Sequence, residues 1–271
     1  MIASLFFSTV QAQELVTATK KKPFFTIEAS GSFELPIMDL KGSDGVKGLW
    51  AFRDYAVSTG FGTALTFKFG VLDKKNIQLR TYVTLGYSHF VNDDNRAFIL
   101  NTSSGVVSNG YPFTNELGTG YPSVRDTAGI SNLRINLPYA AIGCELGVYI
   151  DKKYRSSFNF GLDYNFNVIT GRVFQTYAGG TETFNTFRAN FRTGLGLNAS
   201  YSYRFSEIAG FHVGSRFVMP NLFGKASEMT DDTGYIFLLD RSNTSLNPAL
   251  SSDRNLGYFK FYGGLSLFFG S

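Results

Sequence analysis

The sequence predicts an all-β fold, an eight-stranded antiparallel transmembrane β-barrel with four long extracellular loops and three short periplasmic turns. Three observations lead there. The last stretch, Gly257 to Phe269, alternates with a period of two: Phe259, Phe261, Leu265, Leu267 and Phe269 on one face, Lys260, Tyr262, Gly264 and Ser266 on the other. Only a strand has that period, and a face so rich in Phe and Leu suits lipid better than water. The same pattern recurs upstream, and the connections between these stretches alternate long and short. Composition agrees: 28 Phe, 15 Tyr and 29 Gly in 271 residues, 17% charged residues, and a mean hydropathy of −0.04. No run of about 18 apolar residues exists to form a transmembrane helix. The net charge of +4 is thinly spread, with no basic run interleaved with aromatics, so nucleic acid is not an expected partner.

Met1 to Ala12 reads as the end of a secretory signal, with Val10-Gln11-Ala12 as a small-residue cleavage site. The basic segment that usually opens such a signal is lacking, so the true start would lie upstream. Residues 13–22, ending in a Lys triplet, form a periplasmic lead-in, and residues 23–271 form the barrel. Strand one, Phe24 to Leu35, sets Phe25, Ile27, Ala29, Gly31, Phe33 and Leu35 against Thr26, Glu28, Ser30, Ser32 and Glu34; Pro36 to Asp54 is loop. Strand two, Tyr55 to Val71, puts Tyr55, Val57, Phe61, Leu65, Phe67 and Phe69 outward and Lys68 inward. A turn at Asp73 to Asn76 leads to strand three, Ile77 to Phe90, with Arg80 and Tyr82 inward.

Val91 to Arg134 is polar and reads as a long loop. Strand four, Ile135 to Ile150, carries Pro138 near its start, where a missing N–H costs least, and Glu145 inward. Its lone cysteine, Cys144, faces outward as a small apolar residue and has no partner for an internal disulfide. After a turn at Asp151 to Arg155, strand five, Ser157 to Thr170, opposes Phe158, Phe160, Leu162, Tyr164, Phe166 and Val168 to Asn159, Gly161, Asp163, Asn165 and Asn167. Gly171 to Arg188 is loop. Strand six, Ala189 to Phe205, has Arg192 and Arg204 inward, and a turn at Ser206 to Ala209 leads to strand seven, Gly210 to Met219, with His212 and Arg216 inward. Pro220 to Leu256 is the last long loop. Tyr55, Tyr87, Tyr164, Tyr201, Tyr203 and Tyr258 are placed to form the interfacial girdles.

The C-terminal pattern Tyr262-x-Gly264-x-x-Leu267-x-Phe269 is similar to the assembly signal of bacterial outer-membrane barrels, and the topology over about Pro23 to Phe269 resembles the OmpA/OmpX-like eight-stranded family. The resemblance implies a Gram-negative outer-membrane location and the barrel-assembly machinery, outer-membrane lipid and lipopolysaccharide as partners. A lumen of eight strands is only wide enough to be filled by side chains. The inward charges have both signs: Glu28, Glu145 and Asp163 against Lys68, Arg80, Arg192, Arg204, Arg216 and Lys260. Unpaired burial would be costly, so they are expected to form an ion-paired plug rather than an open channel.

No cofactor, metal site or catalytic residue is expected. Ser88 and His89, with Asp93 and Asp94 nearby, contain the residue types of a rim hydrolase, but adjacent strand residues face opposite ways. The acidic clusters Asn92 to Asn95 and Glu228 to Asp232 fit no complete calcium loop. Gly48-Leu49-Trp50 matches the G-x-W of lipocalins, whose apolar face is inside; here the charges share the glycine face. The expected function is therefore non-enzymatic: an envelope-anchored barrel whose long loops serve adhesion or binding of an extracellular ligand. The alternative is a narrow pore for ions or small solutes, with a rim hydrolase or a soluble lipocalin-like binder less favoured.

Overall fold

A computed structural model of the chain describes residues 22–41, 57–92, 96–101, 106–107, 111–112, 127–177, 182–186, 189–223 and 255–270. Eight long strands close into a barrel: β1 (Phe25–Ile37), β2 (Val57–Lys74), β3 (Ile77–Asn92), β4 (Thr127–Tyr149), β5 (Ser156–Tyr177), β6 (Asn190–Arg204), β7 (Ala209–Phe223) and β8 (Leu256–Phe269). Each pairs antiparallel with its sequence neighbours, and β1 closes on β8 from Phe25↔Phe269 to Ile37↔Gly257. Closure matters because lipid offers no partner to an open sheet edge. The three short turns lie at the same end as Phe25 and Phe269, which makes that end periplasmic.

The faces separate by parity. Phe61, Leu65, Leu85, Ile142, Phe160, Leu162, Phe261 and Leu265 are exposed on the outside, as is Cys144, while Glu28, Lys68, Glu145, Asp163 and Lys260 are buried inside. A water-soluble barrel would reverse this arrangement. A membrane-spanning barrel requires it.

Several strands depart from the reading of the sequence. β4 and β5 run far past Ile135 and Thr170, and their upper segments pair with each other up to Gly129↔Tyr177. Short strands flank them, Arg96–Asn101 on β4 and Glu182–Thr186 on β5, with a further Val106–Val107 and Tyr111–Pro112 pairing. Parts of the segments read as loops, Val91 to Arg134 and Gly171 to Arg188, are therefore sheet rising above one flank of the barrel. Pro138 consequently lies mid-strand, and the β4–β5 ladder is interrupted at Leu137 and Pro138 to accommodate it. β7 likewise continues through Pro220, beside a register shift opposite Thr193 and Leu195. At Val57 and Thr59 a second irregularity in β2 turns Val57, expected outside, into a fully buried residue. Pro36 to Asp54 begins with a short helix, Met38–Lys41. The signal-like segment, most of the lead-in and Gly48-Leu49-Trp50 lie outside the described residues.

The seam between β1 and β8 leaves no room for a side chain at Gly264. A Cβ there would fall 1.9 Å from the Ala29 carbonyl oxygen, whereas a Cβ at neighbouring Gly31 meets nothing within 4 Å. Gly264→Ala should therefore destabilise the barrel by about 1–3 kcal/mol, and Gly31→Ala should be nearly neutral. Urea unfolding in lipid vesicles, followed by far-UV circular dichroism, measures both.

Candidate functional site: an ion-paired lumen

The inward residues meet in three polar clusters stacked along the barrel axis. Nearest the periplasm, Glu145 stands opposite Arg80 in the β3–β4 register. Arg80 Nη2 lies 3.1 Å from Glu145 Oε1, and Lys68 Nζ bridges Glu145 Oε2 at 3.0 Å and Glu28 Oε2 at 2.9 Å. Arg80 also donates to Asn159 Oδ1, and Asn159 Nδ2 donates to Ser202 Oγ at 3.0 Å. His212 sits beside this cluster, its Nδ1 2.9 Å from Ser266 Oγ.

In the middle, Arg216 pairs with Asp163. Tyr82 donates to Asp163 Oδ2 at 2.9 Å, and Asn198 Nδ2 donates to the Tyr82 hydroxyl at 2.7 Å. Gly196 is placed directly across from Asp163 and makes this pair possible. A Cβ on Gly196 would come within 2.6 Å of Asp163 Oδ1 and 2.8 Å of Arg216 Nε. Small residues on the lumen face are thus the space that the ion pairs occupy.

Toward the extracellular end, Glu34 and Lys260 are register partners across the β1–β8 seam, with Lys260 Nζ 3.0 Å from Glu34 Oε1. Ser88 donates to the same oxygen at 2.8 Å, and Lys260 donates to the Tyr139 hydroxyl at 2.9 Å. Above this layer the lumen turns apolar. Phe90, Ile135, Leu137, Ile169 and Leu256 are fully buried, and Tyr258, 1% exposed, packs edge-on against Phe90 at 5.2 Å. Tyr258 therefore belongs to an internal cap and not to a girdle: it shares the parity of Lys260 and Tyr262, and that places it inside. Tyr87 and Tyr164 are exposed on the outer surface, and Tyr55 lies outside the described residues.

At the periplasmic mouth Lys22 is buried rather than solvated. Its Nζ pairs with Asp73, donates to the carbonyls of Lys74 at 2.6 Å and Ile77 at 3.0 Å, and lies over the rings of Tyr149 and Tyr154. Arg204 and Arg192 stand apart from the three clusters. Arg204 donates to the Glu207 carbonyl at 2.6 Å beside the Phe268 ring, and Arg192 donates to the Phe191 carbonyl at 2.9 Å. Glu34 completes the network. It belongs to the polar file of strand one, and its only distinguishing signal is that parity.

Within the three clusters four carboxylates (Glu28, Glu34, Glu145, Asp163) balance four cations (Lys68, Arg80, Arg216, Lys260). The cavity left between the clusters measures about 40 Å³, room for about three water molecules. The charges balance within these clusters, and the buried cations Lys22, Arg192 and Arg204 lie outside them.

The remaining candidates separate. Ser88 points into the lumen toward Glu34, whereas His89 points outward, its Nδ1 donating to Asn136 Oδ1 at 2.8 Å. They cannot act as nucleophile and base. Among the described residues no group of His, Cys, Asp and Glu could hold a metal ion; Asp93, Asp94 and Glu228 to Asp232 lie outside them. In the C-terminal pattern, Tyr262 and Gly264 face inward and Leu267 and Phe269 outward.

No protein-family model and no curated protein matches the chain. Among solved structures it is similar to neisserial surface protein A, at 13% identity over 90% of this chain and 97% of that one, with a TM-score of 0.39. It is also similar to OprG from Pseudomonas aeruginosa, at 11% identity over 94% and 99%, with a TM-score of 0.39. A third is Ail, the attachment invasion locus protein of Yersinia pestis, at 9% identity over 89% and 97%, with a TM-score of 0.33. Likeness at this level adds nothing to the strand pairing already described.

Removing one partner from a buried pair leaves the other charge stranded. Glu145→Gln, which strips the shared partner from both Lys68 and Arg80, should cost about 3–5 kcal/mol, again measured by urea unfolding in vesicles. Lys152→Gln, on an exposed turn, should change stability by less than about 0.5 kcal/mol. The lumen is the product of a closed, eight-stranded antiparallel barrel with an apolar exterior, the architecture of a membrane-spanning β-barrel.

Proposed function

We propose that the chain is a non-enzymatic, non-conducting anchor in the outer membrane that displays its extracellular end for adhesion or binding. The observation that carries this reading is the lumen, filled across its width by three charge-balanced clusters and capped by Phe90, Ile135, Leu137 and Tyr258. A protein that invests its interior in rigidity has its exterior left for function. The upper segments of β4 and β5, with the flanking strands Arg96–Asn101 and Glu182–Thr186, form a sheet beyond the barrel proper. That sheet supports the connecting segments, where specificity resides when a scaffold is rigid. The narrow pore is the second reading, and the small cavity at the level of Tyr82 and Lys260 argues against it.

Reconstituted in planar bilayers, the protein should show no sustained single-channel steps. A quadruple variant, Glu28→Ala, Lys68→Ala, Arg80→Ala and Glu145→Ala, which removes the periplasmic cluster as a neutral unit, should still show none while the Phe90 and Tyr258 cap is intact. Regular steps from the unaltered protein would support the pore instead. For the display role, exchange of residues 93–126 for a short Gly-Ser linker should abolish attachment of expressing cells to host-cell or matrix surfaces and leave the barrel folded.

A further inference from the structure

We infer that the periplasmic end of the barrel binds anionic phospholipid of the inner leaflet, with lysines of the first two turns on the headgroup phosphate and the apolar lip beside them against an acyl chain. The inference rests on the membrane placement of the barrel and not on the adhesive reading. The turns Asp73 to Asn76 and Asp151 to Arg155 are neighbours in space. β3 pairs with β4 down to Ile77↔Val148, and the Tyr149 N–H donates to the Asn76 carbonyl at 2.7 Å. Lys22 ties the two turns together: its Nζ pairs with Asp73 and lies 5.5 Å and 5.2 Å from the ring centroids of Tyr149 and Tyr154.

The charge here is lopsided. Lys22, Lys74, Lys75, Lys152, Lys153 and Arg155 stand against Asp73 and Asp151. Both acids are engaged. Asp73 is held by Lys22, and Asp151 Oδ1 accepts from the backbone N–H groups of Arg155 at 2.8 Å and Ser156 at 2.9 Å. Lys153 and Arg155, and Glu207 on the third turn, also have contacts within the molecule. Lys74, Lys75 and Lys152 are exposed, and among the described residues no acid pairs with any of them. An anion with several acceptor oxygens relieves their mutual repulsion.

The lysines stand at the edge of an apolar lip. After the register shift between Gly70 and Leu72, Lys74 pairs with Ile77 and so shares its lipid-facing file. Leu72, Ile77 and Ile150, all exposed, lie just inside the lysines. Lys74 and Lys75 also border a recess of about 560 Å³ whose apolar wall is Phe24, Val71 and Leu72. A lysine stem lies along such a surface and holds its ammonium at headgroup level. A free anion would meet the charges and leave the lip bare. A zwitterionic lipid would cover the lip but bring its own cation toward the lysines. An anionic phospholipid satisfies both. Ammonium groups are point charges without the guanidinium fork, so they select net negative charge rather than one headgroup shape.

The test uses the full chain in detergent micelles, titrated with dioleoylphosphatidylglycerol, with dioleoylphosphatidylcholine and with inorganic phosphate, read by native mass spectrometry. Phosphatidylglycerol should bind about tenfold or more tighter than phosphatidylcholine. Lys74→Gln, Lys75→Gln and Lys152→Gln together should bring the two lipids to within about twofold of each other. Lys74→Arg, Lys75→Arg and Lys152→Arg together should keep the preference, since the charge is kept. Lys41→Gln, at the extracellular end, should change nothing. Leu72→Ser with Ile150→Ser should weaken phosphatidylglycerol and leave inorganic phosphate unaffected. The inference is overturned if the triple Gln variant, still folded by circular dichroism, keeps the full preference, or if the unaltered protein binds both lipids equally well. If inorganic phosphate displaces phosphatidylglycerol mole for mole, the site is for free phosphate and the lipid assignment fails. A chain that folds without detergent would strike the membrane placement instead.

Discussion

A bilayer has no hydrogen-bond partner to give a backbone N–H or C=O, and this constraint governs everything else in the molecule. It obliges the first strand to find the last, so Phe25 pairs with Phe269 at one end of the seam and Ile37 with Gly257 at the other. Closure at eight strands then sets a bore that side chains alone can fill. The exterior must be largely apolar, so most of the charge within the strands is forced into that narrow bore. The glycines at 196 and 264 follow from the same pressure, one making room for an ion pair and the other for the seam itself.

Confining charge to a narrow interior is costly unless every charge is matched. The solution here is local balance. Arg80 and Lys68 share Glu145, Arg216 takes Asp163, and Lys260 takes Glu34. Two of these pairings, Arg80 with Glu145 and Glu34 with Lys260, are direct register partners on neighbouring strands. A one-residue slip of either seam would send a charge into lipid. The network therefore specifies register as well as filling space. It also fills much of the lumen with paired side chains.

Much of this is legible in the sequence. Phe158 to Val168 alternates so cleanly against Asn159, Asp163 and Asn167 that strand, face and lumen charge follow from parity alone. Parity puts Glu34 on the polar file of β1, though not its pairing with Lys260, and it also puts Tyr258, read as a girdle residue, on the inward file of β8, where it is interior. Other features escape because their cause is not periodic. Val57 changes face through a bulge, and nothing in its neighbours announces one. The upper parts of β4 and β5 carry polar residues without a clean apolar alternation, so they read as loop although they pair as strands. Pro138 misleads for a related reason, since it suggests a strand start and is instead absorbed by a local opening of one ladder. Lys22, at the end of a polar lead-in, gives no hint that two tyrosine rings and two carbonyls await it.

The molecule is organised by one asymmetry, an apolar outside around a charged, ion-paired inside. The measurement that addresses it most directly compares unheated and boiled samples on SDS gels, alongside far-UV circular dichroism with and without detergent. The account predicts a β spectrum only in detergent or lipid, and an unheated band that resists SDS and migrates apart from the boiled one. A chain that folds in plain buffer and runs identically before and after boiling would contradict it. The exposed Phe and Leu faces would then have to be buried some other way.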